Sequence, residues 1–348
     1  MKTEMTLSTN KSELKRNNKA DCRLKAFAIA LDKEGIHYSL SEIMLDANAI
    51  TFEFLNFNKR GPAIHTVIGA SQNLFNQFSM NTGVVIEHFC GQNEQEDFEL
   101  ICNAIENNHC VMALTDRYGL FRIFNHRMFS NISPNKHMPL HMIIIYGFDR
   151  KRNRLLICEP STANSKYHSF WIDAHTLASI RSCEYIDLSI NRDLFIIKDC
   201  SLYAKPNRET MLKMQMMSLQ ESLGNSISSL KDFLKFFEQK AVNDANMLRY
   251  WSIQTEVLSI TTGGFDKTMR FYRGLLLEQF DEYYCWKDKL ELRCHLQNIA
   301  NGWVKFTNML KNQHNQYSYQ DLVNIWKDLI KEAESEQMFC KEFAIKIT

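Results

Sequence analysis

The sequence predicts an α+β chain, with a half built on an antiparallel sheet followed by an all-helical half. Three observations carry this expectation. Apolar, β-rich runs recur between residues 110 and 197, most of them joined by short polar turns. From 207 to 348 there is no proline and helical periodicity persists. The length, 348 residues, suits one large domain or two ordinary ones. The expected division is 1–204 for the sheet-containing half and 205–348 for the helical half.

Residues 1–20 are polar and read as a flexible lead-in whose last few residues could order over a site. A helix is expected from Ala20 to Glu34, because Leu24, Phe27, Ala28 and Leu31 share one face and Gly35 stops it. Asp21 can cap this helix. Ser39 with Glu42 has the spacing of a capping box for a short second helix, and 94–108 reads as a third. Strands are expected at CVMAL (110–114), GLFRIF (119–124), HMIIIYGF (141–148), RLLICEP (154–160), YHSFWI (167–172) and DLFII (193–197). Five helical stretches follow Pro206, and Ser318 with Asp321 marks the start of the last.

Composition narrows the function classes. Hydrophobic residues make up 45% and charged residues 23%, the balance of a globular protein with a core. With 41 basic and 40 acidic side chains the net charge is +1, so neither nucleic acid nor a membrane surface is expected as a partner. The ten cysteines are scattered singly with no CxxC pair, and the opening segment has no apolar signal core. A reduced, cytoplasmic protein is expected. Neither Cys294–His295 nor His109–Cys110 has metal-ligand spacing, so no metal site is expected.

One constellation carries chemistry. Cysteine acyl transfer needs a thiolate, which a helix N-terminus and an adjacent imidazolium both favour. Cys22 falls in the first turn of the first helix. His141 opens the most β-like segment, where a sheet edge can face a cleft. Glu159 ends the next strand, and a hairpin around Asp149–Asn153 brings it near His141, where a carboxylate can orient the imidazole. The oxyanion donors expected are the Cys22 backbone N–H and a side-chain amide from Asn17 or Asn18.

Two segments, DCRLKAFAIALDKEGIHYSLSEIML and HMIIIYGFDRKRNRLLICEPS, resemble the two hallmark regions of the butirosin biosynthesis protein H family. The spacing also resembles bacteriocin-leader peptidases of the papain superfamily. TTGGFDKTMRFYRGLLLEQF and NIANGWVKFTNML are similar to the family's C-terminal region. The resemblance implies a papain-like cysteine protease fold. It also implies an amide-forming acyltransferase that moves an acyl group from a carrier-protein thioester to an amine in nonribosomal peptide or antibiotic biosynthesis. Cys22 matches the nucleophile and His141 the base, while Glu159 falls where such families place Asp.

No cofactor is expected beyond a phosphopantetheine arm supplied by an acyl or peptidyl carrier protein, and the acceptor would be an amine-bearing small molecule. Arg150, Lys151, Arg152 and Arg154 read first as a solvated turn and second as a docking patch. Aromatics of the helical half, among them Phe233, Phe236, Phe237, Trp251, Trp286 and Trp303, read first as bundle core and second as an acyl pocket. Two alternatives remain open: a cysteine peptidase or thioester hydrolase on the same fold, and a catalytically silent binding protein.

Overall fold

The computed structural model describes residues 2–7, 22–57, 64–71, 73–124, 141–160, 168–182, 184–185, 188–189, 192–240, 246, 248–252, 254–255, 268–283, 290–312 and 318–347. It is an α+β structure in which an antiparallel sheet is followed by a helical C-terminal region. The chain divides into two compact units, 1–43 with 82–204, and 44–81 with 205–348. The linear cut expected at 204/205 therefore omits an excursion: residues 44–81 go with the helices.

In the first unit, helix α1 runs from Cys22 to Lys33. Leu24, Phe27, Ala28 and Leu31 are all buried, as their shared face requires, and Gly35 ends the turn in the left-handed region at φ 79°. Helix α2, Leu40–Asp46, starts with the expected capping box: Ser39 N–H donates to Glu42 Oε2 at 2.9 Å, and Glu42 N–H donates to Ser39 Oγ at 3.2 Å.

The sheet of the first unit is antiparallel throughout. Its strands are β4 (Val85–Cys90), β11 (Asp193–Asp199), β5 (Val111–Thr115), β6 (His141–Asp149), β7 (Arg154–Glu159) and β8 (His168–Asp173), in that spatial order. A short N-terminal strand, β1 (Lys2–Glu4), adds to the far end of β6, and a separate two-stranded pair joins β9 (Glu184–Tyr185) to β10 (Leu188–Ser189). The lead-in expected to be flexible is therefore a paired strand at 2–4, while 8–21 lie outside the described residues. All nine residues of β6 are buried, which explains why its sequence is a near-continuous apolar run rather than an alternation.

The segment expected as a strand at 119–124 is instead helical, part of a helix from Arg117 to Phe124. Asp116 starts it, accepting the Gly119 N–H on its carboxylate at 3.3 Å and the Leu120 N–H on its carbonyl at 3.2 Å. The pattern GLFRIF alternates, but Leu120 and Phe124 also fall at helical spacing, and the cap decides. The helix expected at 94–108 spans Glu94–Glu106, with the Asn93 side chain accepting the Glu96 N–H. The structure adds two elements to those expected, a helix at Ala174–Ile180 and the strand β4.

The second unit contains a hairpin, β2 (Ile50–Phe57) with β3 (Ile64–Ala70), beyond the strands expected from sequence. Among the described residues the long helices after Pro206 are Arg208–Lys240, Thr268–Tyr283, Leu290–Asn312 and Tyr319–Ile347. Among the described residues no helix is long and apolar enough to cross a membrane.

The open edge of β2 is satisfied by side chains of the first long helix. Gln215 accepts the Ile50 N–H at 3.0 Å and donates to its carbonyl at 2.8 Å. Ser222 accepts from Phe52 N–H, and Ser226 accepts from Phe54 N–H and donates to the Phe52 carbonyl. These three residues lie on one helix face at i, i+7 and i+11, so a helix takes the place of a third strand.

Candidate active site

Cys22 is the first residue of α1 and His141 the first of β6. The two meet directly. The Met142 backbone N–H donates to Cys22 Sγ at 3.4 Å, and the Cys22 sulfur is hydrogen-bonded to the His141 side chain. His141 Nε2 is 2.5 Å from Glu159 Oε2. With Nε2 engaged by the carboxylate, Nδ1 is the nitrogen left for sulfur. Thr115, opposite His141 in β5, fixes the strand end by donating its hydroxyl to the His141 carbonyl at 3.1 Å.

The approach of His141 and Glu159 depends on a β-bulge. From Asp149↔Arg154 to Gly147↔Leu156 the β6–β7 pairing is regular, but the next partners are Ile145↔Ile157, leaving Tyr146 as one extra residue on β6. Continuing that shifted register sets Glu159 opposite Ile143. Residues 141 and 143 share a face, so His141 becomes the diagonal same-face neighbour of Glu159. Unbroken pairing would set Glu159 opposite Ile144 and turn its side chain to the other face of the sheet. Gly147 makes room beside the bulge: a Cβ there would come within 3.0 Å of Leu156 Cβ and of the Thr3 carbonyl oxygen.

The three groups are sequestered: Cys22 is 8% exposed, His141 1% and Glu159 0%. Burial alone would lower the His141 pKa. The Glu159 carboxylate, and after it the Cys22 sulfur, outweigh burial and raise it to about 10. The carboxylate and the sulfur on either side of the buried ring thus both favour its protonated form. Burial pushes the thiols of Cys102, Cys110 and Cys158 up to about 12. Among the described residues no cysteine is in a disulfide.

Of the residues expected at the site, the structure brings Cys22, His141 and Glu159 together. Asn17, Asn18 and Asp21 lie outside the described residues. The Met142 N–H, which sequence reasoning missed, points at the sulfur; no side-chain pattern signals a backbone donor.

The basic turn is partly committed elsewhere, with Arg150 bridging Glu99 at 2.5 Å and Glu106 at 3.3 Å, and Arg154 stacked over Trp171. In the second unit Trp251 packs against Phe237 at 3.9 Å and Phe233 at 4.3 Å, and Trp326 packs on Phe233 and Trp251, which is core packing. Phe236 is half exposed and Trp286 lies outside the described residues. No protein-family model matches this chain, and no curated protein matches it.

Proposed function

We propose that the first unit is a cysteine acyltransferase of papain-like chemistry, with Cys22 as nucleophile, His141 as acid and base, and Glu159 orienting the imidazole. The observation that carries the reading is a buried imidazole bonded on one side to a carboxylate and on the other to a sulfur at a helix start. A histidine kept only for packing has no need of two such partners, and leaving a carboxylate wholly buried is costly unless something positive holds it.

In the first half-reaction the Cys22 thiolate attacks the carbonyl carbon of a carrier-bound thioester. The new C–S bond forms as the bond to the phosphopantetheine sulfur breaks, and the His141 imidazolium gives its proton to that leaving thiolate. In the second, a substrate amine attacks the Cys22 thioester. Neutral His141 takes the amine proton, the C–N bond forms, the C–S bond breaks, and the starting ion pair returns. Exchange of one thioester for another is nearly thermoneutral, so binding and positioning are the main demands on the protein. The Met142 N–H, already aimed at the sulfur, is a candidate donor toward charge that develops beside it. We assign the donor to a carrier protein and the acceptor to a small-molecule amine, as in thiotemplated natural-product assembly.

Intact-protein mass spectrometry after exposure to acyl-pantetheine thioesters tests the covalent half. The expected result is a mass gain equal to one acyl group in the wild type and none in Cys22→Ala. No adduct across short and long acyl chains would overturn the proposal. Rapid loss of the adduct in water, without faster loss when amines are added, would move the reading to a thioester hydrolase.

A further inference from the structure

We propose that His88, Cys90 and Asp193 form a second, independent site on the sheet edge that binds one divalent ion of the zinc class, with its fourth position open to solvent. The three donors, one imidazole nitrogen, one sulfur and one carboxylate oxygen, lie within 4.8 Å of one another.

Backbone register puts them there. His88 and Cys90 are i and i+2 on the edge strand β4, so they share a face, and Asp193 stands directly opposite Cys90 on β11. Phe195, opposite His88, stacks on the imidazole with ring centres 4.7 Å apart and an interplanar angle of 10°, which fixes the ring's plane.

The spacing suits a tetrahedral ion. A thiolate at about 2.3 Å and nitrogen and oxygen ligands at about 2.0–2.1 Å from the metal sit roughly 3.3–3.6 Å from one another. Cys90 Sγ is 3.6 Å from His88 Nε2 and 3.3 Å from Asp193 Oδ1. Only the 2.7 Å contact between His88 Nε2 and Asp193 Oδ1 must widen, by roughly half an ångström.

The donor set selects the metal. Sulfur and imidazole disfavour calcium and magnesium, which prefer oxygen ligands, and a mixed S, N, O set suits zinc and the later divalent ions. Three protein ligands leave a position for water or an exogenous donor. His88 and Cys90 are exposed, so the ion needs no opening of the fold. Binding releases the Cys90 thiol proton to solvent, one per ion, as the sulfur becomes a thiolate ligand.

Cobalt(II) titration of the reduced, metal-stripped full-length protein tests the site. The expected result is a thiolate-to-cobalt charge-transfer band that saturates at one ion per chain and is bleached by one equivalent of zinc. Cys90→Ser should abolish the band. His88→Gln and Asp193→Asn should each weaken binding at least about tenfold with far-ultraviolet circular dichroism unchanged. Cys22→Ala should keep the band, which separates this site from the acyl-transfer reading. No band in the wild type, or a band that survives Cys90→Ser, would overturn the proposal and leave the three residues as a hydrogen-bonded edge cluster.

Discussion

At the residue scale, the coupling between Glu159 and His141 makes stability depend on pH in a defined direction. The folded pKa of His141, about 10, lies above the value of roughly 6.5 for an unfolded histidine. Its contribution is therefore fully present below about pH 6.5 and is lost as pH rises toward 10. In urea titrations the wild-type midpoint is expected to fall steadily between those limits. Burial pushes Cys102, Cys110 and Cys158 up to about 12, and these thiols erode stability in the same direction at the alkaline end. The variant Glu159→Gln separates the two. With the carboxylate gone, the largest influence raising the His141 pKa disappears, and the fall between pH 6.5 and 9 should flatten. An unchanged slope in Glu159→Gln would mean that the pair is not ionised as described. Glu159 was legible from its place at a strand end, as was His141 from its place at a strand start, because a hairpin confines both to one end of two strands. The 2.5 Å contact between them was not legible, since it depends on the face each side chain takes.

At the element scale, that face is set by the single extra residue at Tyr146. A bulge inverts the in-and-out alternation of everything beyond it, so residues 141–145 present the faces that an unbroken strand would hide. β6 tolerates the inversion because it is apolar and buried on both faces, and so hydrophobic pattern alone could not reveal it. Gly147 is where the device is vulnerable. In Gly147→Val the new side chain meets Leu156 Cβ and the Thr3 carbonyl. Overpacking of this kind typically costs about 1–3 kcal/mol. We expect a lower urea midpoint together with slower iodoacetamide labelling of Cys22, read by peptide mass spectrometry. Normal labelling in a destabilised Gly147→Val protein would show that the bulge does not govern the site. Elements with a cap written in sequence, at Ser39–Glu42 and Ser318–Asp321, formed where expected. The segment 119–124 did not, because its alternation was weaker information than the Asp116 cap in front of it.

At the scale of the whole molecule, the chain leaves the first unit at residue 44 and returns to it at 82. What holds that excursion in the second unit is partly polar. Buried Arg273 donates to both oxygens of buried Glu336, at 2.8 and 3.0 Å, and to the carbonyls of Gly69 and Thr51 on the hairpin strands, each at 3.1 Å. Trp303 adds an indole N–H to Glu336 at 3.1 Å. Removing one partner of such a pair strands the other in the core, at about 3–5 kcal/mol. Arg273→Leu is expected to lose roughly that much in urea unfolding, and adding Glu336→Leu should restore a good part of it. If Arg273→Leu unfolds like the wild type, the network is incidental.

The sequence by itself determined the composition of each layer. It set the apolar run of β6, the long proline-free helices, the caps, and the residue types on which the acyl-transfer proposal rests, because these depend on local periodicity and on short spacings. Tertiary structure alone decided three other things. It assigned 44–81 to the second unit, since Gln215, Ser222, Ser226 and Arg273 are far from the hairpin in sequence and bind it only in space. It placed β4 against β11, which gathers His88, Cys90 and Asp193 across a gap of about a hundred residues. And it set the β6–β7 register, whose one-residue shift turns Glu159 onto the face of His141. Each is a long-range pairing, and a pairing's register is fixed by the sum of contacts on both partners, which neither segment carries alone.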